Sequence, residues 1–106
     1  MEIVVDLAAA SPAVTLEHPD DFTAFKVAVQ GGQDKARLSQ AIEPYGELTD
    51  SGDVYVSQDA VRRLAGSAAQ RSDWQDSFAA MVRYAESKGW IEPATGHIRA
   101  HCEFVS

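Results

Sequence analysis

Apolar and polar residues alternate strictly near the end of the chain, and this alternation predicts a β-strand with one buried face. The apolar positions are Ile98, Ala100, Cys102 and Phe104. The polar positions are His97, Arg99, His101 and Glu103, the densest group of reactive side chains in the sequence. We therefore predict these four polar residues as the binding residues of the protein.

A helical repeat of apolar residues predicts three helices, which span residues 34–43, 58–65 and 73–88. The third has the longest stripe, formed by Trp74, Phe78, Met81, Val82 and Ala85. Ser72 and Gln75 have the spacing of a capping box at its start. Gly89 follows its end, where a left-handed residue is favoured, and Trp90 can fold back as the apolar partner.

Short runs rich in β-branched and aromatic residues predict strands in the rest of the chain, before, between and after these helices. The runs are residues 2–7, 13–17, 22–30, 54–56 and 90–92. In residues 22–30 the alternation of Phe25, Val27 and Val29 favours a strand, although a helix stays open. Residues 8–12 form a break, because Pro12 lacks an amide donor and restricts the residue before it. The elements together predict an α+β fold, with three helices on a small, mainly antiparallel sheet.

From Asp34 onward the order is helix, short strand, helix, helix, strand, turn and strand. This order resembles a winged-helix arrangement over the C-terminal two-thirds of the chain, and the segments 87–91 and 95–99 carry most of the likeness. The resemblance implies that residues 90–105 form the wing hairpin. The segments 54–57, 60–66 and 87–90 also resemble small acidic actinobacterial proteins of unknown function, a resemblance that implies no activity.

Length and composition fit one folded domain over residues 1–106, since 45% of the 106 residues are hydrophobic. The net charge of −7 disfavours nucleic acid and anionic membranes as partners. A single cysteine cannot form an internal disulfide, no apolar run could span a bilayer, and the acidic start lacks the basic region of a signal peptide. We expect a cytoplasmic protein with no membrane association.

Spacing along the last strand argues against a metal site there. At the rise of an extended strand, His97 and His101 lie about 13 Å apart, too far to share one ion. His101 and Glu103 are about 6.6 Å apart along the strand and would need a third ligand from elsewhere. Cys102 faces away from His101, so we expect a buried, inert thiol. The sequence therefore predicts no catalytic residue, no metal and no cofactor.

The function that fits these observations best is a non-catalytic protein-interaction module, with self-association as a homodimer as one form of contact. One alternative is a winged-helix DNA-binding regulator. Its third helix would then read DNA, but that helix begins with Asp73, Gln75 and Asp76, and carboxylates there would meet phosphate oxygens. A second alternative is a small enzyme or ligand binder that uses the polar face from His97 to Glu103.

Overall fold

In the computed structural model, which describes residues 1–8 and 10–105, six strands form one sheet that packs with three α-helices. The strands are β1 (Glu2–Asp6), β2 (Ala13–Glu17), β3 (Lys26–Gln30), β4 (Gly46–Leu48), β5 (Val54–Val56) and β6 (Ile98–Phe104). The helices are α1 (Lys35–Ile42), α2 (Gln58–Ala65) and α3 (Ser72–Ser87), with a 3₁₀ turn over Gly66–Gln70. The predicted α+β class is confirmed. Ala9, in the predicted break, and Ser106, at the end of the predicted domain, lie outside the described residues.

The sheet has the strand order β2-β1-β3-β6-β5-β4 and is mixed. β1 and β3 run parallel, as do β3 and β6, while the other three ladders are antiparallel. The expectation of a mainly antiparallel sheet is therefore not confirmed. The reason is that β6, after α3, enters the middle of the sheet beside β3 and pairs with β5 on its other side.

This central position of β6 also changes the expected wing hairpin. Of the predicted pairing between residues 90–92 and the last strand, the described residues retain a single bridge between Ile91 and Ile98. The winged-helix likeness is not confirmed by this topology. The strand is also no free edge onto which a second copy could add, because the sheet ends at β2 and β4.

Side-chain caps explain where α1 and α2 begin. Asp34 caps α1 by accepting from the amides of Ala36 and Arg37, and Ser57 caps α2 by accepting from the amide of Ala60 at 3.3 Å. The bounds of α2 agree with the prediction, and those of α1 and α3 agree within one residue.

The predicted capping box at the start of α3 is wrong. Arg71 occupies the N-cap position without a side-chain bond to the helix, and Ser72 is already helical. The Gln75 side chain instead donates to the carbonyl of Ala69 at 2.9 Å, because the preceding 3₁₀ turn brings that carbonyl over the first turn of the helix.

The end of α3 forms as predicted. Gly89 has φ of 76°, its amide donates to Glu86, and the amide of Trp90 donates to the carbonyl of Ala85 at 2.9 Å. This pair of bonds is a Schellman motif, which reverses the chain and returns Trp90 toward the helix. The ring of Trp90 then contacts Tyr84 edge to face, with centroids 6.0 Å apart.

One hydrophobic core joins the three helices to one face of the sheet. It contains Leu38 and Ile42 of α1, Val61 of α2, and Trp74, Phe78 and Ala85 of α3. Met81 and Val82 were predicted to be buried as well, but they are only partly covered at its margin. None of the helices in residues 1–8 and 10–105 has the length and apolar character that crossing a bilayer requires.

The opposite face of the sheet, called the outer face below, carries the alternate residue of each strand. On the four strands β2, β1, β3 and β6 it consists of Ala13, Thr15, Glu17, Glu2, Val4, Asp6, Lys26, Ala28, Gln30, Arg99, His101 and Glu103. The buried residues of the described helices pack on the other face of the sheet. Among these twelve residues of the outer face, Ala28 alone is buried. The polar side chains predicted from the sequence therefore meet solvent here.

Candidate functional site

A row of charged and titratable side chains crosses four strands of the outer face. The strand register places Glu17 opposite Glu2, Glu2 beside Lys26, and Lys26 beside His101. Side chains that are register partners share a face and lie within reach of one another. Residues far apart in sequence are thus brought into one polar row.

Lys26 is the centre of this row. Its ammonium lies 3.1 Å from a carboxylate oxygen of Glu103 and 3.5 Å from one of Glu2. The hydrogen bond to Glu103 is the main reason that the pKa of Lys26 is raised. The other oxygen of Glu103 lies 3.8 Å from Nε2 of His101. The structure therefore brings two of the predicted binding residues, His101 and Glu103, together around a lysine that the sequence did not single out.

Arg99 has a separate partner. Its guanidinium lies 2.6 Å from a carboxylate oxygen of Asp53, whose side chain is mostly covered. The hydrogen bond from this arginine to Asp53 raises the pKa of Arg99. Pairing of β5 with β6 sets Tyr55 beside Arg99, which brings Asp53, just before β5, within reach. The arginine is consequently held in place at the end of the polar row.

His97 lies apart from the other three predicted residues. It precedes β6 and lines a shallow groove at the start of α2 together with Gln58 and Arg62. The Gln58 side chain donates to the carbonyl of Gly96 at 2.7 Å, which ties this turn to the helix. The four residues predicted as one binding face are therefore divided: Arg99, His101 and Glu103 lie on the outer face, and His97 lies beside the start of α2.

A groove opens beside Arg99 and His101, and its floor and walls include an exposed tryptophan. It has a volume of about 290 Å³ and is lined by Phe25, Asp53, Trp90, Arg99 and His101. We call it the Trp90 groove. It combines a cation, a carboxylate, an imidazole and two aromatic rings at one end of the outer face.

A smaller apolar pocket adjoins the Trp90 groove and shares Phe25, Trp90 and Arg99 with it. Its volume is about 90 Å³, and its other lining residues include Phe22, Met81 and Tyr84. Two of its aromatic side chains are conspicuously open to solvent, with Tyr84 58% and Trp90 42% exposed. We call it the apolar pocket.

Cys102 lies on the core-facing side of β6, opposite to His101, as the alternation predicts. Its side chain is only partly buried, so the expectation of a fully buried thiol is met in part. Burial is the largest of the effects that raise the pKa of this thiol, which keeps it protonated near neutral pH and makes it a weak nucleophile.

Sequence reasoning missed Lys26, Asp53 and Phe25 as site residues, and it interpreted Trp90 as the apolar partner of a helix cap and the start of a hairpin strand. Their places at the site depend on the pairing of β6 with β3 and β5, strands that are more than 40 residues away along the chain. No local pattern marks such pairings. Phe25 entered the sequence analysis only through its alternation with Val27 and Val29, which was used for the strand prediction.

Comparison with known proteins adds no assignment. No family model matches the chain, no curated protein matches it, and no solved structure matches it. The resemblances to winged-helix proteins and to small actinobacterial proteins therefore stay predictions, and function is argued from the site alone.

Proposed function

We propose that this chain is a non-catalytic protein-interaction module whose docking surface is the Trp90 groove with its apolar pocket. The occupant is a short segment of a partner protein that inserts one large apolar side chain into the pocket and presents a carboxylate nearby. The observation that carries the proposal is the exposed pair of rings of Tyr84 and Trp90 at the mouth of an apolar pocket.

The residue types favour protein contact. Tryptophan, tyrosine and arginine are the residues most often found at the energetic centres of protein interfaces. Here Trp90, Tyr84 and Arg99 lie around one pocket. The Schellman motif at Gly89 fixes the backbone of Trp90, so little ordering of that segment is required when a partner binds.

The charges around the groove favour an acidic partner segment. The ammonium of Lys88 lies over the Tyr84 ring, 5.6 Å from its centroid, and Arg99 lines both the groove and the pocket. Asp53 is the one carboxylate among the lining residues of the groove and the pocket, and it is paired with Arg99. Because Asp53 offsets the charge of Arg99, Lys88 beside the Tyr84 ring is the cation that complements a carboxylate on the partner.

Selection from a random peptide library tests this proposal. The wild-type protein is expected to enrich peptides that carry a large apolar residue close to Asp or Glu. A synthetic copy of an enriched peptide should bind Trp90→Ala at least about 30-fold more weakly, which corresponds to the loss of one hot-spot residue of about 2 kcal/mol. Fluorescence anisotropy of the labelled peptide measures the affinity.

Phe104→Ala is the matched control, because Phe104 is also an exposed aromatic residue but lines neither the groove nor the apolar pocket. This variant should bind the peptide as the wild type does, and both variants should give cooperative unfolding curves. Failure of the wild type to enrich such peptides, or equal binding by Trp90→Ala, would contradict the proposal. A concentration-dependent dimer that Trp90→Ala abolishes would contradict it too, because the occupant would be a second copy.

The arrangement of the basic residues supports protein contact over the DNA-binding alternative. A winged-helix regulator needs cations that converge on one strip and stay available to phosphate. The candidate cations are the six in the second half of the chain: Arg62, Arg63, Arg71, Arg83, Lys88 and Arg99. Three of them are paired with carboxylates: Arg62 with Asp59, Arg71 with Asp20 and Asp73, and Arg99 with Asp53. The small-enzyme alternative has less support, since His97 lies away from the other three residues.

We predict that duplex DNA binds weakly or not at all at physiological salt. The net charge of −7 repels phosphate, and the first turn of α3 carries Asp73. Anisotropy of a labelled duplex of mixed sequence, titrated at several salt concentrations, measures this. Sub-micromolar affinity that falls steeply with added salt would contradict the prediction and favour the regulator.

A further inference from the structure

We propose that Glu2, Glu17 and His18 form a binding site for a divalent transition-metal ion such as Zn²⁺. The site lies at the end of the polar row that is farthest from the Trp90 groove, and it rests on different residues from the proposed function. One ligand atom from each of the three side chains can be chosen so that all three atoms lie within 4.8 Å of one another.

Strand pairing sets the two carboxylates against each other. Glu2 of β1 and Glu17 of β2 are direct partners in an antiparallel ladder and share the outer face. The two negative carboxylates repel each other in this arrangement. A cation bound between them attracts both, and this attraction outweighs the repulsion. Glu2 is partly buried on the sheet, so its position is set by the strand, while Glu17 and His18 are exposed and free to adjust.

A left-handed backbone brings the imidazole to the same site. On a continuous strand, His18 would point to the opposite face from Glu17. The strand β2 ends at Glu17, and His18 has φ of 52°, the one positive value among the described residues other than glycine. The carbonyl of His18 accepts from the amide of Asp21 at 3.0 Å, which closes the turn that carries the imidazole.

The donor set selects the class of ion. One imidazole nitrogen with two carboxylate oxygens is a ligand set that suits Zn²⁺ and similar transition ions, with bonds of about 2.0–2.2 Å. Ligand atoms of a tetrahedral zinc ion are about 3.4 Å apart, so the exposed side chains need to close by little more than an ångström. Calcium is a poor fit, because it requires about six to eight oxygen ligands.

Lys26 competes for one ligand but does not block the site. Its ammonium is 3.5 Å from Glu2 and 3.1 Å from Glu103, and Glu103 is the stronger influence on its pKa. When Glu2 turns toward a metal ion, Lys26 keeps its closer partner. The ion pair between Lys26 and Glu103 is therefore compatible with a metal bound between β1 and β2.

Isothermal titration with Zn²⁺ near neutral pH, on protein freed of any oligohistidine tag, tests the site. The wild type is expected to bind one equivalent. His18→Asn removes the imidazole but keeps a residue that tolerates the left-handed conformation, and Glu17→Gln removes one charge from an exposed position. Each should weaken binding by at least about tenfold, as loss of a ligand or of its support does at metal sites.

His101→Asn is the matched control, since His101 is an exposed imidazole on the same face at the other end of the polar row. It should bind Zn²⁺ as the wild type does. A second readout is thermal unfolding: Zn²⁺ should raise the midpoint of the wild type and of His101→Asn, but not of His18→Asn. Absence of saturable binding by the wild type, or unchanged binding by His18→Asn, would overturn the proposal.

Discussion

Replacing Phe78 with alanine is expected to lower the free energy of unfolding by about 3–5 kcal/mol. The side chain is only 1% exposed and belongs to the hydrophobic core. Its ring stacks on Trp74 with centroids 5.0 Å apart, and the guanidinium of Arg62 lies over it at 5.3 Å. Truncation leaves a cavity beside the Trp74 ring and under the Arg62 guanidinium. Denaturant titration followed by circular dichroism measures the loss.

Tyr84→Ala on the same helix is the matched control, because Tyr84 is an aromatic side chain that is largely exposed. It loses mainly the edge contact with Trp90, and the expected cost is about 0.5–1.5 kcal/mol. A loss below about 1 kcal/mol for Phe78→Ala, or equal losses for the two variants, would mean that the stripe of α3 does not face the core.

The helices could be predicted because their signals are local. Each helix is marked by a stripe of apolar residues at helical spacing. Its ends are marked by residues next to it in the sequence, such as the side-chain caps Asp34 and Ser57 and the glycines Gly66 and Gly89. The α2 helix therefore has the predicted bounds. The prediction failed at Ser72, where a preceding 3₁₀ turn that has no clear sequence signal supplies Arg71 as the N-cap and redirects the Gln75 side chain.

The sheet could be predicted only strand by strand. The alternation between His97 and Phe104 identified which side of β6 faces the core, and the burial of Ile98 and Ala100 agrees with it. It did not show which strands flank β6, because pairing is decided by the packing of the whole sheet. The strand was consequently expected in a hairpin, and it lies in the interior of the sheet.

The composition of the candidate site followed from the sequence only in part. Arg99, His101 and Glu103 were predicted, and each lies on the outer face. Their partners Asp53 and Lys26 could not be, since each contact joins positions 46 or more residues apart. The proposed metal site could not be predicted from the sequence for the same reason, although its residues are closer along the chain. Glu2 and Glu17 meet only through the register of β1 with β2.

Gly31→Ala is expected to cost about 2–5 kcal/mol, because it combines backbone strain with a steric clash. Gly31 follows β3 and has φ of 79°, a conformation that strains any residue with a Cβ atom. An added Cβ would lie 2.5 Å from the amide nitrogen of Ala8 and 2.7 Å from its Cβ. Ala8 follows β1, the parallel neighbour of β3, so the variant pushes apart the carboxyl ends of two central strands.

Gly52→Ala separates the clash from the strain. Gly52 also has a positive φ, 91°, but an added Cβ there meets nothing within 4 Å. This control should therefore cost only the left-handed strain of about 1–2 kcal/mol. Equal losses of unfolding free energy for the two variants in a denaturant titration would show that an added Cβ at position 31 does not clash with Ala8. A larger loss for Gly31→Ala would mean that the glycine after β3 is required by the close approach of Ala8, in the segment that follows β1.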